Sequence, residues 1–330
     1  MPNVSDEYRI IAGQAGWTAK TARGRLRVAG RDAVSFLHAL LSNEIQALQP
    51  GQGAYATYLT PQGRMIADIV AYHCGDHVLL DVPPGHGPAL ATRFDLVIFT
   101  EDVQIADVSG TLDQIAVIGG AAEDAVARVL GVDAAQIRGL AVRSHFAAGD
   151  IRVARTDDAA LPSLDLFFPA GERERVLARL AEAGVTSIST ALAESLRIDA
   201  GRPAFGVDMT EETIPLEAGL LDRAISQTKG CYVGQEVIIR VLHRGGGRVA
   251  KRLVRLAFDP SVSTPPAQGT TLSTEAGDTG RITSAAFSPA LARPVALGYV
   301  HRDFVEPGTA VHVEGSGDAV VAPLPLVPLQ

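Results

Sequence analysis

Cysteine is nearly absent from this chain. Cys74 and Cys231 stand alone among 330 residues. Two thiols exclude a disulfide-stapled scaffold, and they cannot by themselves hold an iron–sulfur cluster, which takes about four protein ligands. Long apolar runs are missing too. None approaches the roughly 20 residues that span a bilayer, and "MPNVSDEYRI" has neither the basic nor the apolar part of an export signal. A cytoplasmic protein with reduced thiols, away from membranes, is expected. Positive charge is not in excess: 29 basic against 37 acidic residues give a net charge of −8. Such a chain is repelled by nucleic acid at long range. No histidine–carboxylate cluster has metal spacing, and no nucleophile elbow, phosphate loop or dinucleotide fingerprint occurs. His73, Cys74 and His77 lie close together, but at a hairpin turn without a matching second cluster, so no metal is expected.

Apolar residues are plentiful, at 47% with 20% charged. A chain of this length suggests two or three domains of about 100–200 residues. "GRDAVSFLHALLSNEIQAL" carries Val34, Leu37, Leu40, Leu41 and Ile45 at helical spacing. "AYATYLTPQGRMIADIVAYHCGDHVLLDV" then reads as three strands broken at Pro61–Gly63 and Cys74–Asp76. A helix around 88–94 and strands at 103–108 and 114–118 follow. The middle third repeats the style, with helices in "AAEDAVARVLGV" and "GERERVLARLAEAGV" and strands in "DIRVARTD" and "LDLFFP". "STALAESLRIDAG" is a further helix, capped by Ser189 or Thr190 and stopped by Gly201. Beyond Gly245–Gly247 helical spacing disappears. "KRLVRLAF", "TGRITSAAFS", "VALGYVHRD" and "TAVHVEG" alternate with turns, as in a small barrel or sandwich, with "PSVSTPPAQG" an exposed loop. The last residues, "VVAPLPLVPLQ", allow only an edge strand and a tail. The fold class expected is α+β: a first lobe over 1–120, a second over 121–244 and a C-terminal β-barrel over 245–330.

The densest chemistry lies in "TKGCYVGQEVIIR", residues 228–240. Gly230 and Gly234 favour a tight turn, and a helix or extended element begins beside it. A thiol near a helix N-terminus with Lys229 two residues away has its thiolate favoured; the bland alternative is a small buried hydrophobe. Arg244-Gly-Gly-Gly-Arg248 reads more readily as a hinge between solvated arginines than as an anion cradle. Asp68 in "MIADIVAY" and Asp165 in "LDLFFP" are carboxylates inside apolar strands. They face either solvent or a cleft, and in a cleft a carboxylate accepts two hydrogen bonds from a guanidine-like heterocycle edge.

The 228–240 segment resembles the Lys-Gly-Cys-Tyr-x-Gly-Gln-Glu signature of the YgfZ-type folate-binding proteins, relatives of the glycine-cleavage T-protein. "LRIDAGRPAFGVDMTEETIPLEAGL", "LLSNEIQALQPGQGAYATYLTPQGRMIADIVAY" and "ALGYV" extend the likeness over most of the chain. The resemblance implies two interlocked α+β lobes and a barrel, with tetrahydrofolate in a central channel gripped by Asp165 and Asp68. It implies a factor in iron–sulfur cluster assembly or repair, a monomer with Cys231 as functional thiol beside Lys229. Its transient partners would be iron–sulfur client enzymes, tRNA-modifying ones included. The alternatives are a folate-dependent aminomethyltransferase of the glycine-cleavage type and a folate-binding scaffold with an inert cysteine. Where the T-protein has Gly-Gly-x-x-Asp-Asp, this chain has Gly63-Arg64 and, at the first acidic position, Ala67. On that ground little aminomethyl transfer is expected.

Overall fold

The computed structural model describes residues 3–244, 246 and 248–322. From the N-terminus, α1 (Val4–Gly13) leads into β1 (Gly16–Ala19), β2 (Gly24–Ala29) and α2 (Ala33–Leu40). Next come β3 (Gly53–Leu59), β4 (Met65–His73), β5 (His77–Val82), α3 (Gly87–Asp95), β6 (Gln104–Asp107) and β7 (Leu112–Ile118). The middle holds α4 (Ala122–Leu130), α5 (Ala134–Arg138), β8 (His145–Ala148), β9 (Ile151–Thr156), β10 (Ser163–Pro169), α6 (Arg173–Glu182), β11 (Thr186–Ser187) and α7 (Thr190–Asp199). After α8 (Leu221–Ala224) and α9 (Gln235–Arg244) the last strands are β12 (Lys251–Phe258), β13 (Thr271–Thr274), β14 (Gly277–Ser288), β15 (Arg293–His301), β16 (Ala310–Val313) and β17 (Gly317–Ala322).

The strands form two open sheets and a closed six-stranded barrel. The first sheet runs β3-β4-β5-β2-β6 and packs Leu26, Ala67, Ile69 and Leu80 against Leu37, Leu90 and Phe94 from α2 and α3. The second runs β11-β1-β7-β10-β9-β8 and packs Val117, Leu166 and Phe168 against Val126 and Val176 from α4 and α6. The lobes interlock. β1 and β7 lie inside the span expected for the first lobe, yet both belong to the second sheet, and β7 pairs with β10 along its whole length. Among the described residues no helix is long and apolar enough to cross a membrane.

Two elements depart from the sequence reading. The helix expected to reach Ile45 ends at Leu40. Leu41 turns extended and bridges to Tyr58, while Ser42 bonds Thr57 and the Ala224 carbonyl; tertiary capture overrides the apolar spacing. β17 is not an edge. It pairs with both β12 and β16 and so closes the barrel, because Ala319 and Val321, which alternate into the barrel core, precede the prolines. The tail beyond 322 lies outside the described residues.

Candidate active site

A cavity of about 360 Å³ opens between the lobes, enough for a bicyclic heterocycle. β4 positions its key carboxylate. Adjacent strand residues face opposite ways, so Asp68 and Val70 point into the cavity while Ala67 and Ile69 point into the first lobe's core. The register of β3 against β4 slips by one residue between the Tyr58–Ala67 and Leu59–Met65 pairs. Ile66 is the extra residue, and it joins Ala67 on the core side. The missing first acid of the Asp-Asp pattern therefore removes nothing from the cavity. The inference from Ala67 against aminomethyl transfer is corrected on that geometry.

Asp68 is 7% exposed and accepts a hydrogen bond from the Tyr55 hydroxyl at 2.9 Å on Oδ2. Its Oδ1 is buried with no partner. Burial raises its pKa above the ordinary value, and the charge of Arg23 offsets only part of this. The same burial, with Asp68 beside it, pushes the Tyr55 phenol up.

Asp165 stands one layer behind the wall. It is 1% exposed, and its Oδ2 accepts from Lys20 Nζ and Gln114 Nε2, both at 2.9 Å. Its Oδ1 is also unpartnered, as is Gln114 Oε1. Gln114 Nε2 lies equally close to Asp81, which in turn receives Arg23. Burial opposes the charge on Lys20, but Asp165, Asp158 and Asp81 outweigh it and hold its pKa above the usual lysine value. Lys20 lines the cavity, so Asp165 reaches a ligand through it.

On the other side of Tyr55 lies a cationic rim. Arg143, Arg202 and Arg223 converge on Asp157 at 2.5, 2.9 and 3.0 Å, and Arg143 and Arg223 stand over the Tyr55 ring. Burial alone raises the Asp157 pKa, but the arginines outweigh it and hold the carboxyl below the ordinary range. The cavity thus pairs an acceptor-rich floor with a guanidinium-rich rim, between apolar surfaces from Val70, Ile118 and Phe205.

Cys231 and Lys229 are not part of this cavity. Cys231 is exposed on the turn before α9. Lys229 is 9% exposed, and its ammonium donates to the carbonyls of His38, Leu41 and Asn43 at the end of α2. Its part is to close a helix end, where its three protons are committed. The motif's turn packs on the β3–β4 hairpin, where Gly234 meets Thr60 and Gly63. His73, Cys74 and His77 sit at the next hairpin, and among the described residues no cluster is built to hold a metal.

Lys20, Arg23, Tyr55, Asp81 and Gln114 were not legible as site residues in the sequence. Asp81 and Gln114 carry the same signal that marks Asp68 and Asp165, a polar side chain inside an apolar strand. Lys20 and Arg23 sit in the loop between β1 and β2, which has no periodicity to place it.

Comparison with known proteins agrees with this architecture. The family described as "GCVT N-terminal domain" matches residues 1–229, and "Glycine cleavage T-protein C-terminal barrel domain" matches residues 251–328. A protein of Thermus thermophilus named aminomethyltransferase is 28% identical, over 99% of this chain and 91% of that protein. One of Corynebacterium jeikeium with the same name is 29% identical, over 92% and 83%. The crystal structure of glycine cleavage system aminomethyltransferase T from Bartonella henselae superposes with a TM-score of 0.88 at 24% identity, covering 98% of this chain and 90% of that one. These relatives carry the aminomethyltransferase name and not the YgfZ one. The expected role in iron–sulfur cluster assembly or repair is corrected by them.

Proposed function

From a chain that belongs to the glycine cleavage T-protein family, we propose a folate-dependent aminomethyltransferase that takes a reduced folate into the cavity between its lobes. The observation that carries this reading is Asp68 Oδ1, a buried acceptor without a partner on the cavity wall. Leaving such an atom unsatisfied costs about 1–3 kcal/mol, which a ligand N–H recovers. Asp165 Oδ1 and Gln114 Oε1 are further unpaired acceptors beneath the floor. An N–H-rich pterin edge suits this chemistry, and a bound reduced folate would supply the nitrogen that accepts the one-carbon unit.

The chain's own residues divide the remaining work. Tyr55 occupies Asp68 Oδ2 and leaves Oδ1 as the atom that exchanges a proton with a bound amine. The raised pKa of Asp68 brings that exchange closer to neutral pH. Lys20, held by Asp165 and Asp158, keeps a fixed positive charge on the floor. Arg143, Arg202 and Arg223 offer their rim to a carboxylate tail. Val70, Ile118 and Phe205 exclude water from the ring. Cys231 has no part in this reading. A cytoplasmic monomer is the form proposed, in keeping with two free thiols.

Calorimetry with tetrahydrofolate, followed by an assay of folate-dependent ammonia release from an aminomethylated lipoyl carrier, tests the proposal. Binding that Asp68→Ala abolishes is expected. Absence of binding at millimolar tetrahydrofolate would sink it.

A further inference from the structure

Among the described residues the cavity wall is drawn from Thr18 to Arg223, and the barrel supplies none of it. The barrel nonetheless reaches that wall through one buried carboxylate. Asp208 is 2% exposed. Its Oδ2 accepts from Arg197 Nη1 at 2.7 Å and from the Ala204 backbone N–H at 2.9 Å. Its Oδ1 lies 2.5 Å from the Thr283 hydroxyl and 2.7 Å from that of Ser284. Neighbouring residues of a regular strand face opposite ways. Both hydroxyls turn to Asp208 because the register of β14 against β15 slips between Ile282 and Ser284, with Thr283 as the extra residue.

Arg197 also donates from Nη1 to the Arg202 carbonyl, and it spends Nε and Nη2 on Glu194, with Nε 2.8 Å from Oε2 and Nη2 2.5 Å from Oε1. Arg197, Glu194 and Ala204 all line the cavity. A continuous set of charge-assisted bonds thus runs from a barrel bulge to one wall of the cavity. Other bonds tie α7 to β14, such as Ser195 Oγ to the Phe287 carbonyl at 2.8 Å. Ser195 lines no part of the cavity.

We propose that Asp208 is a positioning residue through which the barrel fixes Arg197 and Glu194, and so tunes the affinity of a cavity it does not line. Its effect on affinity rests on the folate reading above; its hold on Arg197 does not. Thr283→Val with Ser284→Ala removes both hydroxyls from Asp208 and alters no residue of either lobe. Ser195→Ala is the control, because it breaks a bond of the same helix to the same strand without touching the cavity.

The first readout needs no ligand. Hydrogen exchange of the Arg197 Nε–H, followed by ¹⁵N NMR, is expected to accelerate several-fold in the double variant and to stay at the parent rate in Ser195→Ala. The second readout is the dissociation constant for tetrahydrofolate. It should weaken about fivefold in the double variant, be unchanged in the control, and show no further loss when the double variant is added to Arg197→Ala. Parent-like exchange in the double variant, or an equal change in the control, overturns the proposal. A parent that binds no tetrahydrofolate defeats the folate reading, while the exchange measurement still decides the role of Asp208. Should the double variant not fold, Ser284→Ala alone must move the exchange in the same direction by a smaller amount.

Discussion

The ammonium of Lys229 lies 2.6 Å from the carbonyl oxygen of Leu41, just past the end of α2. It also donates to the carbonyls of His38 and Asn43, and so closes the C-terminal end of α2. Lys229→Met leaves these oxygens without the ammonium and is expected to cost about 1–3 kcal/mol in urea denaturation. Burial brings the Lys229 pKa down to about 8 from 10.5. Between those values the unfolded chain holds a proton that the folded chain has released. The stability contribution of this group therefore rises with pH from about 8 to 10.5 in the parent, and the rise is absent in the Met variant. Alkylation of Cys231 should proceed at the same rate in both.

Ala67→Asp restores the acidic pair of the T-protein pattern in sequence but not in space. The new carboxylate points into the core among Ile69, Leu80 and Phe94. A fall in stability of several kcal/mol is expected, with no gain in ammonia release. A stable, more active variant would show that β4 presents residue 67 to the cavity.

Asp68→Asn keeps the shape of the side chain and removes a charge disfavoured by burial. Because the folded pKa of Asp68 is raised above 3.8, the folded chain holds a proton longer than the unfolded one. The cost of ionising Asp68 in the folded chain appears as pH rises above 3.8 and is complete once pH passes the raised folded value. The Asn variant is therefore expected to be more stable than the parent at pH 7, with the difference fading toward pH 4, and to bind tetrahydrofolate at least tenfold more weakly, on the order of 1.4 kcal/mol. Paired denaturation curves at the two pH values and one titration check both parts.

Gly234 has φ +81°, and a Cβ there would come 2.5 Å from the Thr60 carbonyl oxygen. Gly234→Ala is expected to lose about 1–3 kcal/mol from the left-handed backbone alone, with the clash added. Cys231→Ala, three residues away on an exposed turn, should change stability by less than about 0.5 kcal/mol. Thermal melts of the two variants separate a glycine required by packing from a cysteine that is not.

Much of this architecture can be read from spacing alone. The three-strand meander of residues 53–82, a Ser189 or Thr190 cap of α7 and the onset of the barrel follow from local turn chemistry and period; the structure repeats them and gives the cap to Ser189. The membership of β1 and β7 cannot be read this way, because pairing between strands far apart in the chain leaves no local trace. The site shows the same divide. A carboxylate in an apolar strand announces itself, as Asp68 does. Its usefulness depends on which face of β4 it takes, and the bulge at Ile66 decides that. Lys229 stands two residues from Cys231 in sequence, yet its side chain serves the end of α2.

The placement of β1 and β7 in the second sheet also bears on how the chain is made. β7 is bordered by β1, at residues 16–19, and by β10, at residues 163–169. β1 is bordered in turn by β11, at 186–187. A nascent chain halted at residue 120 holds two strands of a sheet whose other four do not yet exist. Lobe-by-lobe folding during synthesis is therefore closed to it. The cavity forms only once Arg223, the last residue of its wall, has been made, and heat or denaturant should dismantle the two lobes in one transition.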